Sequence, residues 1–101
     1  DYTIENQISF DDLKNVKLDH LEEFYMYGFN LVELKSNTFQ NMPNMRRLRL
    51  CSNKILTIQL NAFRNLTKLQ YLNLDLNKIN DFEQKSFEGL SELKELSLMN
   101  N

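Results

Sequence analysis

Residues 69–77 read Leu-Gln-Tyr-Leu-Asn-Leu-Asp-Leu-Asn, and this stretch decides the fold. Within it Leu72 and Leu74 alternate with polar neighbours, which is the period-two pattern of a β-strand that buries one face. The same order of chemical types returns 24 residues earlier, in residues 45–53, and 24 residues later, in residues 93–101. A strand that recurs at so long an interval is reached by a crossover, so we expect the successive strands to lie parallel in one sheet.

Each period carries a second set of recurring residues after the strand. Phe39, Phe63 and Phe87 are predicted to stack as a column of rings in the core of the return limb. Asn53 and Asn77 stand where the strand turns away, and an Asn side chain there can satisfy backbone groups that have no ladder partner. One repeat cannot bury its own apolar face but stacked repeats can, so the pattern predicts a solenoid with an asparagine ladder.

Two regions depart from the period. Phe29 occupies the position of the turn Asn in the first full repeat, with Asn30 beside it, so the turn there is predicted to be shifted or capped differently. Before that repeat, Ile8 and Phe10 fit the inward positions of an earlier strand, but they lie too close to the next strand for a full period. Residues 1–20 are therefore interpreted as a shortened repeat or an irregular N-terminal cap.

The order Leu-x-x-Leu-x-Leu-x-x-Asn, followed by Phe and Leu on the return limb, resembles the signature of the leucine-rich-repeat family. The period of 24 residues is similar to that of the class common in animal extracellular proteins, such as Toll-like receptor ectodomains and secreted immune proteins of insects. The resemblance covers residues 21–101, as three full repeats and one truncated repeat. It implies an α/β fold: a leucine-rich-repeat solenoid, or horseshoe segment, with a short parallel sheet on the concave face and irregular or short helical return limbs on the convex face.

Composition argues against several kinds of partner. With 12 basic and 14 acidic residues the chain has a formal charge of −2, so we expect no nucleic-acid binding. No apolar run approaches the roughly 20 residues that span a bilayer, so we expect no membrane contact by this segment. The single cysteine, Cys51, excludes an intrachain disulfide and is interpreted as a small outward-facing residue, with a reactive or intermolecular thiol as the alternative.

No motif for catalysis or for a cofactor is visible in the sequence. An enzyme needs a nucleophile with a base, a carboxylate pair in a cleft, or metal ligands at suitable spacing. His20 is the only histidine, has no second histidine or cysteine near it in sequence, and is interpreted as a surface or cap residue. Gly28 and Gly89 are the only glycines, so no phosphate-binding loop can be drawn. The chain is therefore predicted not to be an enzyme and to have no catalytic residue, metal or cofactor.

The outward-facing residues of the sheet are the predicted binding surface, since solenoids commonly bind on the concave face. Arginines and tyrosines recur there, and both give large contact area together with hydrogen bonds. The predicted partner-binding residues are Tyr25, Tyr27, Arg46, Arg47, Arg49, Tyr71, Asn73 and Asp75. The alternative is structural: Glu22 and Glu23 can pair with the arginines of the next strand, and exposed pairs of that kind contribute about 0 to 1 kcal/mol.

Two further surfaces carry predictions. Asn65-Leu66-Thr67 fits the acceptor pattern for an N-linked glycan, and Asn65 precedes an inward-facing leucine, which places it on the outer surface. The sequence ends at Asn101, after the strand half of a repeat. This uncapped edge predicts either that the segment belongs to a longer solenoid or that another chain covers it, self-association being one form of such cover.

The resemblance implies a non-catalytic protein-recognition module, extracellular in a secreted protein or receptor ectodomain, with a role in innate-immune pattern recognition or complex assembly. A segment of a cell-adhesion or axon-guidance ectodomain uses the same type of repeat, and nothing in the sequence separates the two. A structural spacer whose concave face binds nothing is the third hypothesis. The disulfide-bonded caps usual in extracellular members are missing, so an intracellular repeat protein stays an alternative.

Overall fold

The computed structural model describes residues 2–4, 16–29 and 31–101. These residues contain eight short strands, which in chain order are β1 Tyr2–Ile4, β2 Glu23–Met26, β3 Glu33–Leu34, β4 Arg47–Arg49, β5 Thr57–Ile58, β6 Tyr71–Asn73, β7 Asp81–Phe82 and β8 Glu95–Ser97. A 3-10 helix occupies Gln84–Phe87 on the last return limb. Turns make up much of the chain between these elements.

The predicted parallel sheet is confirmed. Its five strands lie in the order β1-β2-β4-β6-β8, and each neighbouring pair is parallel. From β2 onward the pairing register equals the sequence period, so that Leu48 stands opposite Leu72, and Leu72 opposite Leu96. The pairing places equivalent residues in columns across the sheet.

The strand before the first full repeat lies earlier in the chain than the hydrophobic pattern indicated. β1 pairs with β2 so that Ile4 stands opposite Met26, an offset of two residues less than the regular period. The expectation that Ile8 and Phe10 point inward concerns positions outside the described residues, as does the position of Asn30. A shortened period of this kind is hard to detect in sequence because the recurring positions no longer align.

The return limbs are more regular than the sequence pattern suggested. One strand per repeat was expected, but each of the three full repeats contributes a second, two-residue strand, and β3, β5 and β7 form their own parallel sheet. In β3 and β5 the second residue, Leu34 or Ile58, is buried, whereas Phe82 in β7 is 46% exposed. The second sheet thus closes each coil opposite the first.

The core is made of columns of equivalent side chains. Leu50 and Leu74 are fully buried, and Leu98 is partly buried against the same cluster. Phe63 lies between the other two phenylalanines of its column, with ring centroids 5.9 Å from Phe39 and 5.6 Å from Phe87, in stacked orientation. Both predicted columns are therefore present, and each coil completes the core of the coil beside it.

The asparagine ladder is also confirmed. The side chain of Asn77 accepts hydrogen bonds from the backbone N–H groups of Asn53 and Ile55, at 3.1 and 3.3 Å. Its amide donates to the carbonyl oxygens of Leu50, Leu74 and Asp75. At the irregular first turn, where Phe29 replaces the Asn, the Phe29 N–H donates to Asn53 Oδ1 at 2.8 Å. Asn53 therefore satisfies the backbone of the turn that has no asparagine at its own equivalent position.

One position of every repeat has a left-handed backbone. It directly follows the outward residue of the turn and has φ of 69° at Gly28, 59° at Ser52, 57° at Leu76 and 59° at Asn100. Glycine adopts this conformation without steric cost, whereas a leucine there is strained. Leu76 is nevertheless 54% exposed, so burial of its side chain does not offset the strain.

The last strand is less covered than its equivalents. Leu96 on β8 is 40% exposed, while Leu48 and Leu72 in the same column are fully buried. The difference arises because no further coil packs against β8 in this structure. The structure therefore has an apolar sheet edge at this end.

Candidate protein-binding face

The outer face of the five-stranded sheet, called the concave face below, brings the predicted binding residues together. Arg47, Tyr71 and Glu95 stand opposite one another on successive strands. One register position further on, Tyr25, Arg49 and Asn73 form the neighbouring row. These side chains point away from the core because they alternate along each strand with the buried leucines, and all are partly or largely exposed.

Two of the three arginines on this face have carboxylate partners. Arg46 Nε lies 3.3 Å from Glu22 Oε1, and Arg47 Nε lies 3.5 Å from Glu23 Oε1. The four side chains are 39–64% exposed, so each pair contributes about 0 to 1 kcal/mol. They line a shallow polar depression of about 390 Å³ together with His20 and Gln70. Pairing across the sheet, the structural alternative drawn from the sequence, is thus observed for both arginines.

Arg49 has different surroundings. Its Cζ lies 5.1 Å from the ring centroid of Tyr25 and 5.4 Å from that of Tyr71, both within the range of a cation–π contact. Because β4 lies between β2 and β6, the guanidinium has a ring on either side. Burial lowers the pKa of Arg49, but a hydrogen bond with Tyr27 and the phenol groups of the neighbouring tyrosines outweigh burial, so the net shift is upward.

The tyrosines around Arg49 are themselves held in place. Tyr25 Oη donates to Glu23 Oε2 at 3.0 Å, and its ring stacks on Tyr27 with centroids 6.5 Å apart. Burial, followed by the hydrogen bond to Glu23 and its negative charge, raises the pKa of Tyr25. Tyr71 Oη accepts from Asn73 Nδ2 at 3.0 Å. These contacts restrict the rings and reduce the conformational entropy that binding would cost.

Asp75 lies at the end of β6 and is turned toward the next repeat. Its Oδ1 accepts from Ser97 Oγ at 2.6 Å and from the backbone N–H of Met99 at 2.8 Å. Cys51, its neighbour in the preceding repeat, is a free, partly buried thiol. Burial, followed in size among the raising effects by the charge of Asp75, raises the pKa of Cys51, and its own backbone hydrogen bond and Arg49 offset this only in part. The thiol is therefore protonated and weakly nucleophilic at neutral pH.

The remaining predictions concern chemistry and the convex side. Among the described residues no three His, Cys, Asp or Glu side chains are placed to hold a metal ion. Nor does that part of the chain contain a helix of the length and apolar character needed to cross a membrane. Asn65 is exposed on a return limb with φ of 77°, while Leu66 beside it is buried.

Sequence reasoning found the residues of the concave face but not how they divide. The Arg49 contacts with two rings depend on Tyr25 and Tyr71, which lie one repeat to either side and at different register positions. Ser97, a partner of Asp75, was not singled out. The only sequence signal for either contact is the column alignment itself, which places the residues near one another without giving side-chain directions.

Regular coils of 24 residues with an aromatic and charged outer sheet face define a solenoid of the protein-interaction type. The family model of the leucine rich repeat matches residues 43–101, more than half of the chain, and the chain therefore belongs to the leucine-rich-repeat family. Members of this family are typically non-catalytic.

The fold is similar to that of the TLR13 chain in the crystal structure of a TLR13–ssRNA13 complex, with a TM-score of 0.83 and 31% sequence identity. The match covers 95% of this chain and 13% of the TLR13 chain. The chain thus resembles a segment of a Toll-like receptor ectodomain. No curated protein sequence matches it significantly.

Proposed function

We propose that this chain is a protein-recognition segment of an extracellular leucine-rich-repeat protein, either secreted or a receptor ectodomain, and that it binds its partner on the concave face. The observation that carries the proposal is the cluster of Arg49 with Tyr25 and Tyr71 at the centre of that face. Clusters of arginine and tyrosine at the centre of an interface contribute a large share of binding energy. Innate-immune recognition or complex assembly is the proposed role, supported by the similarity to TLR13 over 95% of this chain.

A protein fits the face better than a nucleic acid, although the similar TLR13 chain is in complex with ssRNA13. A nucleic acid requires several cations to neutralise successive phosphates. Arg46 and Arg47 each have a glutamate partner already, so little uncompensated positive charge is left on the face.

The test compares binding by the native chain with binding by the triple variant Arg46→Ala/Arg49→Ala/Tyr71→Ala. Both are used to select peptides from a library displayed on phage, and a single-stranded RNA is assayed in parallel. We expect peptide binders whose affinity falls at least about tenfold in the triple variant, as is usual when central arginines and tyrosines are removed. A matched control, Leu60→Ala/Arg64→Ala/Lys85→Ala, removes two cations and one large apolar side chain from exposed positions on the return limbs.

Equal binding by the native chain and the triple variant, with both folded by circular dichroism, would show that the concave face is a spacer surface. RNA binding stronger than any peptide binding would replace the protein partner by a nucleic acid. Loss of binding in the return-limb control alone would move the site to the convex side.

Glycosylation of Asn65 is a second expectation of the extracellular proposal. The side chain is exposed and followed by buried Leu66 and exposed Thr67, so a glycan there would extend into solvent. Secretion from animal cells is expected to give a product that shifts in mass on treatment with an N-glycosidase. Asn65→Gln should abolish the shift, and an unshifted native product would contradict the expectation.

The open edge at β8 is the second surface where we propose association, in this case between copies of the chain. Exposed Leu96 and 64% exposed Met99 accompany unpaired backbone groups at this edge. Sedimentation velocity should show association that increases with concentration and decreases in Leu96→Lys. A native chain that stays monomeric at all concentrations would contradict it.

A further inference from the structure

Arg49 is the arginine of the concave face that has no acidic partner. Arg46 and Arg47 lie within 3.5 Å of Glu22 and Glu23, whereas no carboxylate of the described residues lies within 4.0 Å of an Arg49 nitrogen. Its Nε is shielded from solvent and has no hydrogen-bond acceptor. A buried N–H donor without an acceptor is costly, and the cost is greater for a charged group.

The carboxylates nearest in the sheet are already engaged elsewhere. Glu23 accepts from Tyr25 and pairs with Arg47, and Asp75 accepts from Ser97 and the Met99 N–H. The two tyrosine rings hold the guanidinium between them at 5.1 and 5.4 Å. The cation is thus oriented in advance, but its preferred acceptor is not supplied by the described part of the chain.

We propose that Arg49 binds a carboxylate of the protein partner, an aspartate or glutamate side chain that inserts between Tyr25 and Tyr71 on the concave face. This inference rests on the proposed function, since it names the chemistry that the same face recognises. The planar guanidinium presents its N–H donors as a fork that matches a carboxylate, and charge-assisted pairs of this geometry are about twice as strong as neutral hydrogen bonds. The flanking rings exclude water from the pair and strengthen it further.

A single carboxylate fits this site better than a phosphate chain. Glu23, Asp75 and Glu95 surround the arginine on the neighbouring strands and would repel successive phosphates. One isolated acidic side chain needs only one cation. The local charge therefore selects an acidic protein segment with well-spaced carboxylates.

The Nε–H signal of Arg49 in a proton–nitrogen NMR spectrum gives a direct test on the intact chain. It is assigned by its loss in Arg49→Met and titrated at physiological salt with aspartate carrying an N-acetyl group and a C-terminal amide. We expect a saturable shift with this compound and no shift with the asparagine counterpart, which has the same shape without the charge. Arg46→Met is the matched control and should leave the titration of Arg49 unchanged.

The absence of a saturable shift would overturn the proposal, as would a shift of equal size with the asparagine compound. A shift that occurs at lower concentration with inorganic phosphate or with single-stranded RNA would also overturn it, in favour of a phosphate ligand. A response retained in Arg46→Met and saturable only with the aspartate compound would support it.

A second measurement separates this proposal from the proposed function. Peptides selected on the native chain should be enriched in aspartate and glutamate, and Arg49→Met should weaken their binding at least about tenfold. If binding is lost in the triple concave-face variant but kept in Arg49→Met, the face binds a partner and the carboxylate assignment is wrong. If no peptide depends on the concave face while the titration still succeeds, the proposed function is wrong and Arg49 is an isolated anion site.

Discussion

Replacement of Asn77 by alanine is expected to lower the free energy of unfolding by about 3 kcal/mol or more, because each buried polar group left without a partner costs about 1 to 3 kcal/mol. The side chain makes two hydrogen bonds to backbone N–H groups of the preceding coil and three to carbonyl oxygens. Both coils therefore lose contacts that no neighbouring group can replace. Urea denaturation followed by far-ultraviolet circular dichroism measures the change.

Asn80→Ala is the matched control for this variant. Asn80 is the same residue type a few positions later, is exposed, and has Val32 and Leu56 as its equivalents in the preceding repeats. No hydrogen-bonding side chain is therefore required at that position, and we expect a change within about 0.5 kcal/mol. Equal destabilisation by the two substitutions would show that the ladder contributes nothing specific.

Phe63→Ala is expected to have the other large effect, a loss of about 3 to 5 kcal/mol. The ring is fully buried and stacks on Phe39 on one side and Phe87 on the other, so its removal leaves a cavity shared by three coils. A loss of this size is comparable with the total stability of many small domains. The variant is therefore expected to be largely unfolded well below the urea midpoint of the native chain.

Phe82→Ala provides the comparison for the phenylalanine column. Its ring is 46% exposed and meets Phe87 edge to face at 5.3 Å, so only part of its surface is buried. We expect a loss of about 1 kcal/mol, mostly from that aromatic contact. If Phe63→Ala were no more harmful than Phe82→Ala, the column would not be the core of the solenoid.

The regular part of the fold could be predicted because it depends on side chains that recur at equal spacing. Leu72 and Leu74 indicated a strand with one buried face, and Asn77 indicated a turn whose backbone needs a side-chain partner. Both expectations hold in the structure. The strand at Tyr2–Ile4 was not found, because its offset to β2 is shorter than the period. The second sheet was also missed, because two-residue strands leave no alternating pattern.

The candidate site was predictable only as a set of positions. Column alignment placed Glu22 and Glu23 beside the arginines of the next strand, and the ion pairs were anticipated. It did not distinguish Arg49 from Arg46, since both are arginines on the same outer face. Side-chain direction on a strand surface depends on what the neighbouring strands present, which a linear pattern does not describe.

The order of residues alone specifies the repeat length, the inward columns and the asparagine turns, because burial and backbone hydrogen bonding impose the same requirement on every coil. Only packing across three strands decides that Arg49 lies between Tyr25 and Tyr71 while its neighbours pair with glutamates. Periodic constraints are written into the sequence once per coil. A unique contact between side chains of different coils arises from their positions in space, and those exist only after the coils have stacked.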